Sequence, residues 1–201
     1  MWKNNFMKFF KHINLLLLLI LFVSCLEDTG DLSIESILDR GSQIYPPGAD
    51  SIFISMGLPS NVIPELEKSK VIDGSSGGLL EIYFEHSDEN ISIKIDASLT
   101  IPPGAFSGSE RIWMVLNNET GTIWFYPHLV FSIPVQFDII YEGVNLFGSN
   151  PNNIDFIFQN NDGTIEQVNY TKIVVYEEQE GYYLRLKEGM LNHFSRYGWS
   201  R

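Results

Sequence analysis

Cysteine is nearly absent from this 201-residue chain, which holds only Cys25. A single cysteine has no partner for an internal disulfide, so a disulfide-stapled scaffold is excluded. Positive charge is also scarce, with 13 Lys and Arg against 25 Asp and Glu and a formal net charge of −12. Because nucleic acids and anionic membrane surfaces repel such a chain, neither is expected as a partner.

Sequence motifs for catalysis and for metal binding are lacking as well. No glycine-rich phosphate loop, nucleophile elbow or paired-carboxylate motif occurs. His86, His128 and His193 lie far apart without paired-ligand spacing, so no zinc site is predicted. The oxygens of 160–163 could hold calcium but lack further acidic ligands, and a hairpin turn explains them better. The sequence therefore predicts a protein that is not an enzyme and needs no cofactor.

Long hydrophobic runs are missing too. The longest apolar stretch, Ile13–Val23, is about half of the roughly 20 residues that a membrane-spanning helix needs. Lysines precede it and Ser24-Cys25 follows it. This order of charged, apolar and small residues is typical of a secretory signal. Residues 1–24 are predicted to be a removable leader.

The end of this leader, Phe22-Val23-Ser24-Cys25, resembles the lipobox of bacterial lipoproteins. The resemblance implies cleavage before Cys25 and acylation of that residue. Each buried acyl CH₂ contributes about 0.8 kcal/mol, so several chains would hold the protein firmly on a bilayer. The alternative is an ordinary signal peptide with an incidental cysteine.

The residues after Cys25 resemble sorting signals of such lipoproteins. Leu26 resembles outer-membrane sorting, and the acidic Glu27, Asp28 and Asp31 resemble surface-export signals, although a plain polar linker explains them equally well. We therefore expect a cell-envelope protein in the outer membrane, facing the periplasm or the surface. Removing the leader removes three of the 13 basic residues and none of the acidic ones, so the formal charge falls from −12 to −15.

Residues 25–70 are predicted to be the lipidated cysteine followed by an acidic, proline-containing tether. Four prolines, Pro46, Pro47, Pro59 and Pro64, prevent long regular elements there. A short strand over Ser51–Met56 is the main structural expectation in this part. Residues 71–201 are predicted to form the folded domain.

The strongest strand signal is Ile91–Ala105. Its odd positions from Ile91 to Ile101 are all apolar, and its even positions from Ser92 to Thr100 are all polar. This period of two indicates a strand with one buried and one solvent-facing side, ended by Pro102-Pro103-Gly104. Further short strands and turns follow to Trp199, eight or nine in all. Without a convincing helix, they predict an all-β, antiparallel β-sandwich of immunoglobulin-like type, with a small barrel as the alternative.

Four pieces, in order, resemble the ZU-five β-sandwich domain of ankyrins, netrin receptors and zonula occludens proteins, and its bacterial lipoprotein relatives most of all. They are LTIPPGAF at Leu99–Phe106, FYPH at Phe125–His128, FSIPVQFDIIY at Phe131–Tyr141 and NHFSRYGW at Asn192–Trp199. The chain departs from the family where Leu129-Val130-Phe131 replaces a glycine-rich segment. The resemblance implies a non-catalytic module that binds an envelope protein or mediates adhesion.

The same resemblance suggests one catalytic alternative. In some relatives among death-domain and inflammasome proteins, a similar His-Phe-Ser cuts its own backbone. Carried over, Ser195 would attack the carbonyl of Phe194 with His193 assisting proton transfer. The simpler interpretation places Phe194 and Tyr197 in the core, with His193 and Ser195 on a polar face.

Aromatic residues outside the core-facing series give the remaining candidates. Trp113, Trp124 and Tyr126 are the candidate binding residues, with Tyr183 and Trp199 as further members. If they are exposed together, they would form a patch for a protein or for the sugar rings of a polysaccharide. The alternative is that both sheet faces are covered and these side chains are core.

Overall fold

The computed structural model describes residues 52–58, 63, 66–118, 120–160 and 163–201, which belong to one compact unit. The predicted leader, Cys25 and most of the predicted tether lie outside these residues, as do Asn161 and Asp162 of the predicted hairpin turn. Over the described part of the chain, no helix has the length and apolar character needed to cross a membrane.

Strands dominate the described residues. Their bounds are β1 (Leu66–Asp73), β2 (Gly78–Ser87), β3 (Ser92–Ile101), β4 (Ser109–Leu116), β5 (Ile123–Tyr126), β6 (Val130–Val144), β7 (Asp155–Gln159), β8 (Ile165–Gln167), β9 (Lys172–Glu178), β10 (Gly181–His193) and β11 (Arg196–Ser200), with a short 3₁₀ helix at Pro151–Asn153. The sequence predicts fewer strands, because it leaves β1 in the tether and gives no strand signal for the short β8.

The strands form two packed antiparallel sheets, which confirms the predicted β-sandwich. The six-stranded sheet has the order β1-β4-β5-β11-β7-β8, and the five-stranded sheet has the order β2-β3-β6-β10-β9. The chain crosses from one sheet to the other between β10 and β11 through only two residues, Phe194 and Ser195.

Strand β3 behaves as its alternation predicts. Its apolar residues from Ile93 to Ile101 are buried, and the polar residues between them face outward. It pairs with β2 on one side and with β6 on the other, with Ile95 opposite Phe84 and Tyr141. A slip of one residue would turn the apolar row toward solvent, so the pattern fixes the register.

The sandwich begins before the predicted boundary at residue 71. Phe53 pairs with Ser200 at the end of β11, and Ile54, Met56 and Leu58 are buried in the core. Strand β1 starts at Leu66 and pairs with β4 along its whole length. Residues 52–58 and 66–70 are thus part of the sandwich, although the sequence predicts a tether up to residue 70.

An aromatic cluster fills the core between the sheets. The Phe125 ring lies 5.3 Å from that of Phe137 and 5.2 Å from that of Phe194, measured between centroids. The Phe156 ring lies 5.2 Å from the fully buried Trp199. Because Phe125 and Phe137 belong to different sheets, these contacts join the two halves of the sandwich.

Candidate functional site

Three of the predicted binding residues lie together on the outer face of the six-stranded sheet. Trp113 on β4 is directly opposite Tyr126 on β5, and Trp124 is opposite Val115. The rings of Trp124 and Tyr126 lie 6.2 Å apart at an interplanar angle of 23°. All three side chains are partly exposed. We call Trp113, Trp124 and Tyr126 the tryptophan face.

A buried arginine supports this face from β11. The guanidinium carbon of Arg196 lies 5.4 Å from the Trp124 ring centroid and 4.7 Å from that of Phe53. Its Nη2 donates a hydrogen bond to Oε1 of Gln159 at 2.6 Å. Cation–π contacts of this kind strengthen when water is excluded, so Arg196 fixes the position of Trp124. Arg196 is not among the candidates predicted from the sequence, although a charged residue next to Tyr197 in the last strand is a signal for an outward-facing position.

The other two aromatic candidates are placed elsewhere. Trp199 is fully buried between the sheets, so for this residue the core alternative holds and it cannot belong to a surface patch. Successive strand residues point to opposite faces, and Trp199 falls on the same face as the buried Tyr197. Tyr183 lies on the five-stranded sheet, where its ring stacks on that of Tyr176 at 4.7 Å and 12°.

The predicted cleavage site lies at the crossover between the sheets. Nδ1 of His128 is 2.7 Å from the carbonyl oxygen of Phe194, which accepts the hydrogen bond. The backbone N–H of Phe194 donates to the Leu129 carbonyl at 2.8 Å, and the N–H of Phe125 donates to the Ser195 carbonyl at 2.9 Å. The crossover is therefore held by hydrogen bonds on both sides of the Phe194–Ser195 bond. The contact of His128 with Phe194 is not predicted from the sequence, because the two residues lie 66 positions apart in the chain.

His193 is half-buried at the same crossover, while Phe194 and Tyr197 are core residues. The centroid of the His193 ring lies 4.4 Å from that of Phe158 and 6.2 Å from that of His128. Nδ1 of His193 is buried and makes no hydrogen bond to any residue that the structure describes. Burial lowers the pKa of His193 and His128 adds to this lowering, whereas Glu166 and the Phe194 backbone oppose it.

This environment predicts a pH dependence of stability. Because the pKa of His193 is lower in the folded protein, the unfolded chain binds the proton first as pH falls. The free energy of unfolding should fall as pH drops below about 6.5, the ordinary histidine value, and level off below the folded pKa. Urea denaturation at pH 7 and pH 5 should show a smaller loss in His193→Gln than in the wild type. His86→Gln, at a partly exposed position near the end of β2, is the control, and an unchanged loss in His193→Gln would contradict the prediction.

An open pocket with a volume of about 410 Å³ lies at the end of the five-stranded sheet. It is lined partly by Gly57, Gly143 and Gly181, all with positive φ, and by Glu180 and Tyr182. A smaller hollow of about 110 Å³ beside it contains the Lys94–Glu142 ion pair, whose Nζ–Oε1 distance is 3.0 Å. Within the described ranges of the chain, no three His, Cys, Asp or Glu side chains are grouped so as to hold a metal ion.

Comparisons with protein-family models, with curated proteins and with solved structures found no match to this chain. The resemblance to the ZU-five domain therefore stays a prediction from the four sequence pieces.

Proposed function

We propose that this chain is a lipid-anchored cell-envelope protein whose β-sandwich binds another envelope protein without catalysis. The anchor would be Cys25, as the lipobox-like sequence suggests, and the docking surface would be the tryptophan face. The outer membrane is the expected location.

The observation that carries this proposal is the grouping of three large aromatic side chains on one flat sheet face. Trp113, Trp124 and Tyr126 come from neighbouring strands and are all partly exposed. Tryptophan and tyrosine are enriched among the residues that dominate protein interfaces, because they bury large areas with few rotatable bonds. The buried Arg196 presents Trp124 in a fixed orientation, which lowers the entropy lost on binding.

The test is a cross-linked pull-down of the tagged full-length protein from intact cells, with proteins and sugars both read by mass spectrometry. We expect a stoichiometric protein partner whose recovery falls at least about tenfold in the double variant Trp113→Ala/Trp124→Ala, as expected for the loss of two interface anchors. Tyr83→Ala, which removes an exposed aromatic residue from the other sheet, should recover the partner normally. Thermal melts establish that both variants fold.

Three outcomes would contradict the proposal. Recovery of the bait alone, or equal recovery by the double variant, would overturn binding through the tryptophan face. Mass spectrometry that finds Cys25 without acyl chains in the membrane-bound protein would overturn the lipid anchor.

A glycan-binding module is the alternative on the same surface. The rings of Trp124 and Tyr126 are inclined by only 23°, which gives a nearly flat platform for the face of a sugar ring. In the same pull-down, enriched polysaccharide without a protein partner would favour this alternative.

The second alternative, self-cleavage at Phe194–Ser195, draws on the hydrogen bond from His128 to the Phe194 carbonyl. A donor at that oxygen would stabilise the negative charge that develops during attack. Oγ of Ser195 would form an ester with the Phe194 carbonyl carbon while the peptide C–N bond breaks, and His193 would carry the hydroxyl proton to the amine released on Ser195. Water would then hydrolyse the ester. Intact mass under denaturing conditions should give two fragments that separate after Phe194, and a single uncut species would exclude the reaction.

A further inference from the structure

The outer face of the β9–β10 hairpin carries three basic side chains close together in a strongly acidic chain. Lys172 is directly opposite Lys187, and Arg185 lies on the same face opposite Val174. Like charges directly opposite each other destabilise an antiparallel pair. Lys187 approaches Glu188 at 3.4 Å, whereas Lys172 and Arg185 form no ion pair with any residue whose position is described. An anionic ligand would relieve this repulsion.

Arg185 also has an unsatisfied donor. Its Nε is buried and has no hydrogen-bond partner among residues 52–201 as far as these are described. Buried donors are normally paired, so an unpaired one calls for an explanation. The Arg185 side chain as a whole is partly exposed, so its guanidinium can meet a carboxylate or sulfate at the surface, and arginine binds such oxyanions through two parallel hydrogen bonds.

Two stacked tyrosines adjoin this charge. Tyr183 lies two residues before Arg185 on the same face, about 7 Å along the strand. Its ring and that of Tyr176 are 4.7 Å apart and nearly parallel at 12°. Tyr176 is 47% exposed, which leaves its ring accessible to a ligand. Aromatic rings on a flat sheet face provide an apolar platform that complements the C–H face of a sugar.

We infer that this surface, the hairpin face formed by Lys172, Tyr176, Tyr183, Arg185 and Lys187, binds an acidic glycan. A sugar ring packs on the tyrosine pair, and its carboxylate or sulfate lies against Arg185 and the lysines. Desolvation raises the pKa of Tyr176, Glu178 and Glu142 contribute to this rise, and their negative charges repel acid groups next to that ring. The formal charge of −12 opposes polyanions over the protein as a whole, so binding depends on the local basic groups of this surface.

The hairpin face is separate from the tryptophan face, because the two lie on different sheets. The inference therefore goes beyond the proposed function, and the two can fail independently. The variant Trp113→Ala/Trp124→Ala should bind acidic glycan as the wild type does.

The test measures binding of the full-length protein to a galacturonate hexamer and to a chondroitin sulfate hexamer by calorimetry. The methyl-esterified galacturonate hexamer is the uncharged control, and a polyglutamate of equal charge is the control without sugar rings. We expect at least one acidic glycan to bind at least tenfold more tightly than both controls. R185Q and Y176A should each weaken this binding about tenfold. K68Q, which removes an exposed lysine from β1, should leave it unchanged.

Several results would overturn the inference. The inference is wrong if neither acidic hexamer binds, if the methyl-esterified galacturonate hexamer binds as tightly as the acidic one, or if R185Q binds the acidic glycan with unchanged affinity. Equal binding of polyglutamate would also overturn it and would point to an acidic protein segment instead. If R185Q does not fold, K172Q tests the same charge at an exposed side chain, and unchanged affinity in that variant would equally overturn the inference.

Discussion

Replacing Gly143 with alanine should destabilise the protein by roughly 4 kcal/mol or more, among the largest effects that single substitutions produce. Gly143 lies in β6 with φ of +75°, and an added Cβ would lie 1.9 Å from the carbonyl oxygen of Ser92 on β3. The oxygen belongs to the backbone of β3, and the position of the added Cβ is fixed by the backbone of β6, so relief requires the two strands to separate. Since domains are stable by only about 5–15 kcal/mol, this variant should be largely unfolded in mild denaturant.

Gly148→Ala is the matched control for this effect. Gly148 has a φ of +77°, and an added Cβ there would meet nothing within 4 Å. It isolates the cost of the left-handed backbone, about 1–2 kcal/mol for a residue with a Cβ. Urea denaturation of both variants separates the two contributions. If both variants lose the same free energy of unfolding, the close approach of Gly143 to the Ser92 carbonyl adds nothing to the cost of the alanine, which contradicts the prediction.

Phe125→Ala should lower the free energy of unfolding by about 3–5 kcal/mol, the usual range for removing a buried phenylalanine ring. The ring is buried and packs against Phe137, Phe194 and Tyr197, at centroid distances of 5.3, 5.2 and 6.0 Å. The cavity would open between the two sheets, where neighbours from both sheets would have to move to fill it. Chemical denaturation monitored by tyrosine and tryptophan fluorescence measures the loss.

Tyr83→Ala provides the comparison at an exposed aromatic position. Tyr83 is 60% exposed on β2, where it donates a hydrogen bond to Glu85. Substitutions at such positions usually change stability by less than about 0.5 kcal/mol. A loss in Phe125→Ala as small as that in Tyr83→Ala would contradict the role of Phe125 in joining the sheets.

Alternation along single strands made much of the fold predictable. The burial of every second residue from Ile93 to Ile101 follows from the sequence alone, because the side-chain period of a strand is two. Strand β1 gives no such signal: only Ile72 is fully buried, since β1 lies at the edge of its sheet. The sequence also gives no sign that the chain changes sheets at Phe194–Ser195. Apolar residues occur both before and after these two positions, so the segment looks like one continuous strand.

The candidate site was predictable only in part. Trp113, Trp124 and Tyr126 were identified as residues outside the core-facing series, and the structure places them side by side. Trp199 looked equivalent in sequence, but pairing with β7 turns it inward against Phe156. Which residues surround Trp124, and whether His128 meets the Phe194 carbonyl, depend on the order of the strands in the sheets. That order brings together segments that are far apart in the sequence. Such order leaves no local pattern to detect.

The position of β11 determines when this domain can fold. Arg196–Ser200 is among the last parts of the domain to be synthesised, yet it lies between β5 and β7 in the interior of the six-stranded sheet. A nascent chain that lacks these residues has two half-sheets with no strand to join them, and Phe53 has no partner for its bridge. Folding through such distant contacts is slow to begin. The six-stranded sheet can therefore be completed only after Arg196–Ser200 have been synthesised, so its two halves are joined at the very end of the domain's synthesis or after it.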